Sequence, residues 1–334
     1  MSVTAKTLPD IADVEERLHK VLASNLPDFL DVTSVSRSEV STQQRFTGVS
    51  VFFIFLVLLA LYVFRSVQGS PLYTALLIFL ALWMIVMLFS GHKWLQNKKL
   101  LAREMNMALV SVLNSTLERT FMYTHNADHQ AETVQLLKES NLMTVAELEI
   151  ESDDMYTAYD DREVSFRELV VTQKVSSDDT KTNTPVTLFK GVFVVATLNR
   201  SELAETYIST ENDKEGFAHR TFWSNVLNLG TVKETELEWN DFEKDLHVAT
   251  SDPTAAREIL TPDFMQHLHE WWLEHKLNIR IAFKQDKMYL LLPESSIHIQ
   301  STTTSTELRE IKRYAWSLVQ PIWRSLRLID DIPN

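Results

Sequence analysis

The stretch "FTGVSVFFIFLVLLALYVF", Phe46 to Phe64, contains nineteen residues and no charge. A second stretch of the same length, "PLYTALLIFLALWMIVMLF", runs from Pro71 to Phe89 and is equally free of charge. A helix needs about 20 apolar residues to cross a bilayer core, and uninterrupted runs of this length are rare in soluble cores. Both stretches are therefore predicted to span a membrane. The six residues "RSVQGS" between them permit only a tight antiparallel hairpin.

The basic residues around the two spans predict their orientation. The connection carries one basic residue, Arg65. The outer flanks carry six, namely Arg37, Arg45, Lys93, Lys98, Lys99 and Arg103. Because Lys and Arg accumulate on the cytoplasmic side of membrane proteins, both termini are predicted to lie in the cytoplasm.

The composition excludes several classes of function. A formal net charge of −13 leaves no broad basic surface to neutralise phosphates, so nucleic acid is not a predicted partner. The absence of cysteine removes disulfides, thiolate catalysis and cysteine-based zinc sites. With six glycines in the chain, neither glycine-rich phosphate-binding motif is present. No cofactor is predicted.

The rest of the chain is predicted to be cytoplasmic and to consist of three parts. They are an N-terminal segment, a helical connector that continues the second span, and an α+β domain, over residues 1–45, 90–147 and 148–334, around the transmembrane hairpin at 46–89. In the N-terminal segment, apolar residues fall at helical spacing from Ile11 to Leu22. This short amphipathic helix is expected to pack on the main domain, and a position on the membrane surface is the alternative.

The pattern after Leu148 predicts mixed strands and helices. Runs of β-branched and aromatic residues indicate strands, with a polar loop at 176–185, a central strand at 190–198 covered on both faces, and a hairpin that turns at Gln285 and Asp286. Asp252-Pro253 and Thr261-Pro262 indicate the starts of two helices. This order of elements favours α+β over a doubly wound α/β sheet.

Three acidic segments are candidate sites for cations or acid–base chemistry. In "ELEWNDFEKDLHVATSD", a predicted strand, Asp241, Glu243, Asp245 and His247 would share one face. A membrane-tethered, metal-assisted hydrolase using such carboxylates is the alternative function, although an exposed edge protected by charge is the preferred interpretation. The segments "ESDDMY" and "YDDRE" lack the spacing of a calcium loop and are interpreted as solvated turns.

The stretch "HLHEWWLEH", His267 to His275, resembles a zinc-binding helix but does not have the required spacing. His269-Glu270 is followed four residues later by Leu273 rather than by a second histidine. His267, Glu270 and Glu274 do share a helical face and are the alternative metal set. The preferred interpretation is a helix with its polar face in water, and no metal site is predicted.

A final amphipathic helix is predicted from about Ser305 to Leu328, with Pro321 expected to kink or interrupt it. Its basic residues and tryptophans are the candidate contacts with a membrane or partner: Arg309, Lys312, Arg313, Trp316, Trp323, Arg324 and Arg327. Basic residues beside tryptophans suit a bilayer interface, so lipid sensing is a second alternative function. Docking on the domain core, with a basic outer face, is the competing interpretation of the helix.

Three segments together resemble the bacterial family DUF3137, a domain of unknown function. They are "TLFKGVFVVATLN", "LEWNDFEKDLHVATSDPTAAREILTPDFMQHL" and "IRIAFKQDKMYLLLP", and the similarity extends over about residues 90 to 300. The resemblance implies a bacterial membrane protein with paired spans and a cytoplasmic domain, and it implies no reaction. Its members' association with LemA-type membrane proteins suggests a protein partner. The sequence therefore predicts a membrane-anchored interaction or scaffold module at the inner membrane, with homo-oligomerisation left open.

Overall fold

A computed structural model of the chain describes most of its length. The described residues are 8–63, 71–125, 129–143, 148–152, 154–160, 162–176, 183–200, 203–210, 222, 226–227, 230–237, 239–276, 279–293 and 304–333. The connection between the two apolar stretches, at 65–70, lies outside this set, as do residues 177–182 of the predicted polar loop.

The helices are as follows, in chain order: α1 Ile11–Val32, α2 Ser34–Val63, α3 Pro71–Leu117, α4 Gln130–Ser140, α5 Asn240–Asp245, α6 Pro253–Ile259, α7 Pro262–His275 and α8 Leu308–Asp330. The strands are β1 Phe121–His125, β2 Leu148–Glu151, β3 Asp154–Tyr159, β4 Glu163–Ser176, β5 Asn183–Thr197, β6 Leu203–Thr210, β7 Lys233–Glu234, β8 Leu246–Thr250, β9 Arg280–Gln285 and β10 Lys287–Pro293.

The strands form one antiparallel sheet, which confirms the prediction of mixed helix and sheet. Their order is β1-β3-β4-β5-β10-β9-β6-β8-β7, with β2 paired to β4. Strand β5 lies in the interior between β4 and β10, and its residues from Val192 to Ala196 are buried. The almost continuous apolar run at 190–198 therefore corresponds to a central strand, as predicted.

Helices cover both faces of this sheet. On one face, Leu136 and Leu137 of α4 belong to the same buried cluster as Phe193 of β5 and Tyr289 of β10. On the other face, the ring of Phe264 of α7 lies 5.9 Å from the ring of Phe283 of β9. The central strands therefore carry apolar residues on both faces of the sheet. This is why the run at 190–198 does not alternate between apolar and polar residues.

The chain divides into two compact units. The first comprises residues 1–21, 109–299 and 312–334, and contains the sheet. The second comprises residues 22–108 and 300–311. The predicted N-terminal segment 1–45 is thus shared between the units, and the predicted helical connector 90–147 also contains strand β1.

In the second unit, α2 and α3 pack against each other in opposite directions. Gln43 donates its side-chain amide to the Ser90 hydroxyl at 2.9 Å, and farther along, the ring of Phe53 lies 6.0 Å from that of Phe79 and 5.6 Å from that of Trp83. The outward faces carry large exposed apolar side chains. The predicted continuation of the second apolar stretch is present, since α3 is one helix of 47 residues.

Two expectations about local structure are wrong. The segment predicted as one strand around Asp241 forms α5 first and enters β8 only at Leu246. The helix forms because Phe242 is fully buried and packs, together with Trp239, near His269 of α7, at distances of 6.2 and 5.4 Å between ring centres. Helix α8 also continues through Pro321, so the expected interruption does not occur, and a kink at this residue stays a prediction.

Candidate functional site

A pocket of about 130 Å³ lies in the first unit, where α7, α8 and the start of α1 meet. Its wall combines two tryptophans and two aliphatic side chains with charged side chains and one imidazole. The lining residues are Ile11, His267, Glu270, Trp271, Glu274, Trp323, Arg324, Arg327 and Leu328. An apolar wall with a few convergent polar groups is typical of ligand sites.

Helix α7 presents four of these residues because of where it begins. The Thr261 hydroxyl accepts the backbone N–H of Phe264 at 3.2 Å, and Pro262 occupies the first turn, so the start is fixed. From that start, positions 267, 270, 271 and 274 fall on one helical face. Trp271 is buried there and forms a fixed part of the wall.

The two ring nitrogens of His267 are both engaged. Nδ1 lies 2.6 Å from an Asp331 carboxylate oxygen, and Nε2 lies 2.8 Å from Nη2 of Arg327. Because a guanidinium can only donate, Nε2 must accept, and the ring proton is therefore on Nδ1. Burial raises the pKa of the Asp331 carboxyl, while the adjacent His267 and Arg327 act in the opposite direction.

Arg324 and Arg327 line the opposite wall, one helical turn apart on α8. Arg324 forms an ion pair with Glu274, yet its Nε is buried and finds no hydrogen-bond partner among the residues that the structure describes. The guanidinium carbon of Arg327 lies 5.1 Å from the ring centre of Trp323. Trp323 in turn donates its indole N–H to the carbonyl oxygen of Pro9 at 2.9 Å, which ties the start of α1 to α8.

The alternative metal set does line one pocket, but its surroundings do not suit a cation. His267, Glu270 and Glu274 are joined there by Arg324 and Arg327, which bring two positive charges. The imidazole nitrogens are occupied, and Glu274 is paired with Arg324. Within the described residues, no three His, Cys, Asp or Glu side chains are grouped so that they could hold a metal ion.

The other candidates on the final helix have different environments. Lys312 contacts Glu15 of α1 at 2.9 Å, Trp316 is half-buried, and Arg309 and Arg313 are exposed. Trp323 is buried, at 4% exposure. Contact of these residues with a membrane or a partner stays a prediction.

The carboxylates predicted to share a strand face are dispersed. Asp245 lies 2.9 Å from Nε2 of His269 on α7, and Asp241 pairs with Lys244 at 2.8 Å. Glu243 accepts the backbone N–H of Leu237, while His247 lies 3.6 Å from Glu234 of β7. This segment is helical as far as Asp245, so the side chains point in different directions and form no array.

One acidic residue interpreted as solvated is buried. Asp154 begins β3 and accepts hydrogen bonds from the Tyr123 hydroxyl at 2.6 Å and from His125 Nδ1 at 2.8 Å. The alternation of Asp154 with Tyr156 and Ala158 could have indicated its inward orientation. Asp160, from the neighbouring acidic segment, lies 3.4 Å from Arg119.

Helix α7 and all but the last two residues of α8 lie in a stretch that matches a known family. Residues 187–328 match DUF3137, described as "Protein of unknown function". The resemblance expected from the sequence is thereby confirmed, over a range that begins later and ends later than 90 to 300. No curated protein and no solved structure matches the chain. The family match therefore supplies no substrate and no reaction.

Proposed function

We propose that this protein is a membrane-anchored interaction module, with two spans in the bacterial inner membrane and an α+β unit in the cytoplasm. The observation that carries the proposal is the exposure of its two most apolar segments. Windows within α2 and α3 have mean hydropathies of 2.6 and 2.4, and 18% and 0% of their residues are buried. Helices of a soluble core would bury such surfaces, whereas a bilayer would cover them.

The packing between these helices supports a hairpin. Gln43 and Ser90 bond near one end, and the rings of Phe46, Phe53 and Trp83 pack between the helices farther along. The aromatic contacts favour pairing of the two spans within lipid, and the bond between Gln43 and Ser90 joins the helices just outside the predicted spans.

The orientation is supported by the basic residues that remain exposed outside the spans. Arg37 is buried, donating Nε to the Thr33 hydroxyl at 2.8 Å and a terminal nitrogen to the carbonyl oxygen of Ser305. It therefore cannot serve as a headgroup anchor, and the count of outer basic residues falls from six to five. Five against the single Arg65 of the connection still favours cytoplasmic flanks.

The absence of native cysteine makes the topology directly testable. Ser70→Cys places a thiol in the connection, and Glu258→Cys places one at an exposed position of α6. A membrane-impermeant maleimide applied to intact spheroplasts should label the first variant, and it should label the second only after lysis. The unmodified chain is the blank. Labelling of Glu258→Cys in intact spheroplasts would show that the topology is the reverse of the proposed one. Both variants should be labelled after lysis in detergent, which checks that each thiol is reactive.

The interaction role concerns a protein partner, for which the family resemblance suggests a LemA-type membrane protein. Native mass spectrometry of the full-length protein released from its own membrane should detect such a partner or a defined homo-oligomer. A lone protomer under conditions that preserve other membrane complexes would contradict the interaction role while leaving the anchor intact.

A further inference from the structure

The pocket between α7 and α8 contains a charged donor whose hydrogen-bonding capacity is only partly used. Within the described part of the chain, the Nε of Arg324 is buried without a hydrogen-bond partner, although a terminal nitrogen of the same guanidinium pairs with Glu274. A buried donor without an acceptor costs stability, and buried polar groups in folded proteins are nearly always paired. The described residues therefore leave one N–H of the Arg324 guanidinium without an acceptor.

A ligand anion could replace Glu274 in its ion pair with Arg324. The Glu274 side chain is 55% exposed, whereas that of Arg324 is 14% exposed. Exposed carboxylates contribute little to such pairs because water competes for them. A ligand oxyanion that accepted from both Nε and a terminal nitrogen would form the bidentate pair that guanidinium groups favour, and it would displace the Glu274 carboxylate.

A second guanidinium is held at the same pocket by its neighbours. Asp331 fixes the tautomer of His267, whose Nε2 accepts from Arg327 at 2.8 Å. The Trp323 ring supports the other side of Arg327, at 5.1 Å. Arg327 thus loses little conformational freedom when a ligand binds, which favours affinity.

The size and charge of the pocket restrict the ligand. A volume of about 130 Å³ admits one small group rather than a nucleotide or a peptide segment. Glu270 also lines the pocket, but its carboxylate accepts from Gln266 along α7 at 2.8 Å. The two arginines are therefore the groups best placed to receive an anion.

We propose that this pocket is an oxyanion-binding site that takes a carboxylate or phosphate group between Arg324 and Arg327, with Glu274 as an internal competitor. The group belongs either to a free small anion or to an acidic side chain of a partner. The proposal goes beyond membrane anchoring and does not depend on it, since every residue involved lies in the first unit.

The test is calorimetric titration of the full-length protein in detergent at constant ionic strength. The probes are inorganic phosphate and N-acetylglutamate amide, with chloride as the reference salt. Saturable binding of either probe is the expected result, and the probe that binds more tightly distinguishes a free anion from an acidic side chain. Glu274→Gln removes the competitor and should tighten binding about two- to fivefold, the range that an exposed ion pair supports.

Arg324→Gln should abolish binding, while Arg309→Gln, an exposed arginine of the same helix outside the pocket, should leave it unchanged. The Glu274→Gln gain keeps the test informative even if the arginine variant is unstable. No saturable binding by either the wild type or Glu274→Gln would overturn the proposal, as would equal binding by Arg324→Gln.

Discussion

Gly191→Ala is expected to damage the centre of the sheet, because no space exists for a methyl group there. Gly191 of β5 lies opposite Pro293 of β10. An added Cβ would lie 2.0 Å from the carbonyl oxygen of Leu292 and 2.8 Å from Cα of Pro293, whereas real Cβ contacts stay above 3.0 Å. The two strands would have to separate locally by at least 1.0 Å, the difference between 3.0 and 2.0 Å.

The cost follows from the atoms involved. Both obstructing atoms belong to the backbone, so no change of side-chain rotamer relieves the contact. Overpacking of a core typically costs about 1–3 kcal/mol, and each ladder hydrogen bond weakened by the separation adds about 1 kcal/mol. With one such bond weakened, we expect the free energy of unfolding to fall by about 2–4 kcal/mol, which lowers the melting temperature of a domain of this size by about 4–16 °C.

Thermal unfolding in detergent, followed by tryptophan fluorescence, measures the effect. Gly91→Ala in α3 is the matched control, because no atom of the described residues lies within 4 Å of its added Cβ and alanine favours a helix. The control should melt at or above the wild-type temperature. A Gly191→Ala protein that melts within about 1 °C of the wild type would refute the reasoning, since the loss would then be below about 0.5 kcal/mol.

Three further changes test individual contacts. Asp252→Ala removes the side-chain cap of α6 and should lower the free energy of unfolding by about 1 kcal/mol in denaturant titrations, whereas Asp252→Asn should retain most of it; equal losses would exclude the cap. Burial raises the pKa of the Asp330 carboxyl to about 6, so its folded form binds the proton more tightly than its unfolded form. Relative to Asp330→Asn, the wild type should therefore lose melting temperature as the pH rises from about 4 to about 6, and a constant difference would contradict this. Trp323→Phe removes the hydrogen bond to Pro9, which contributes about 1 kcal/mol to stability, and it should speed hydrogen exchange in α1. Trp316→Phe is the control. Equal exchange rates in the two variants would argue against the contact.

Features set by neighbouring residues could be predicted from the sequence. The caps at Asp252 and Thr261 depend on side chains two or three positions from the N–H groups they accept. The turn at Gln285 and Asp286 joins two strands that are adjacent in the chain, and Gln285 adopts a positive φ of 58°. The apolar stretches needed only their length and lack of charge.

The segment around Asp241 could not be assigned in the same way, because its pattern fits two periods. Phe242 and Leu246 are four residues apart, which suits a helical face and also alternate positions of a strand. The contacts that decide are distant in sequence: Phe242 and Trp239 pack near His269 of α7, with ring centres 6.2 and 5.4 Å from the imidazole. No local signal carries that information.

The candidate pocket was predictable in parts but not as a whole. The shared face of His267, Glu270 and Glu274 follows from helical spacing. Arg324 and Arg327 are predicted from the sequence to contact a membrane or a partner. Their meeting depends on how α7 and α8 pack, about fifty residues apart in the chain. No local pattern marks Asp331, because its role depends on its contact with His267, 64 residues away in the chain.

The bond between Trp323 and Pro9 has a consequence for the timing of biosynthesis. Its partners are 314 residues apart, and the two apolar stretches lie between them. At a synthesis rate of about 5–20 residues per second, helix α8 is completed about 15–60 s after the start of α1 has been synthesised. During that interval the carbonyl oxygen of Pro9 cannot accept this bond, so the start of α1 lacks one of its final contacts. A ribosome-stalled chain that ends before α8 should therefore be cleaved more readily by a protease near Pro9 than the finished protein.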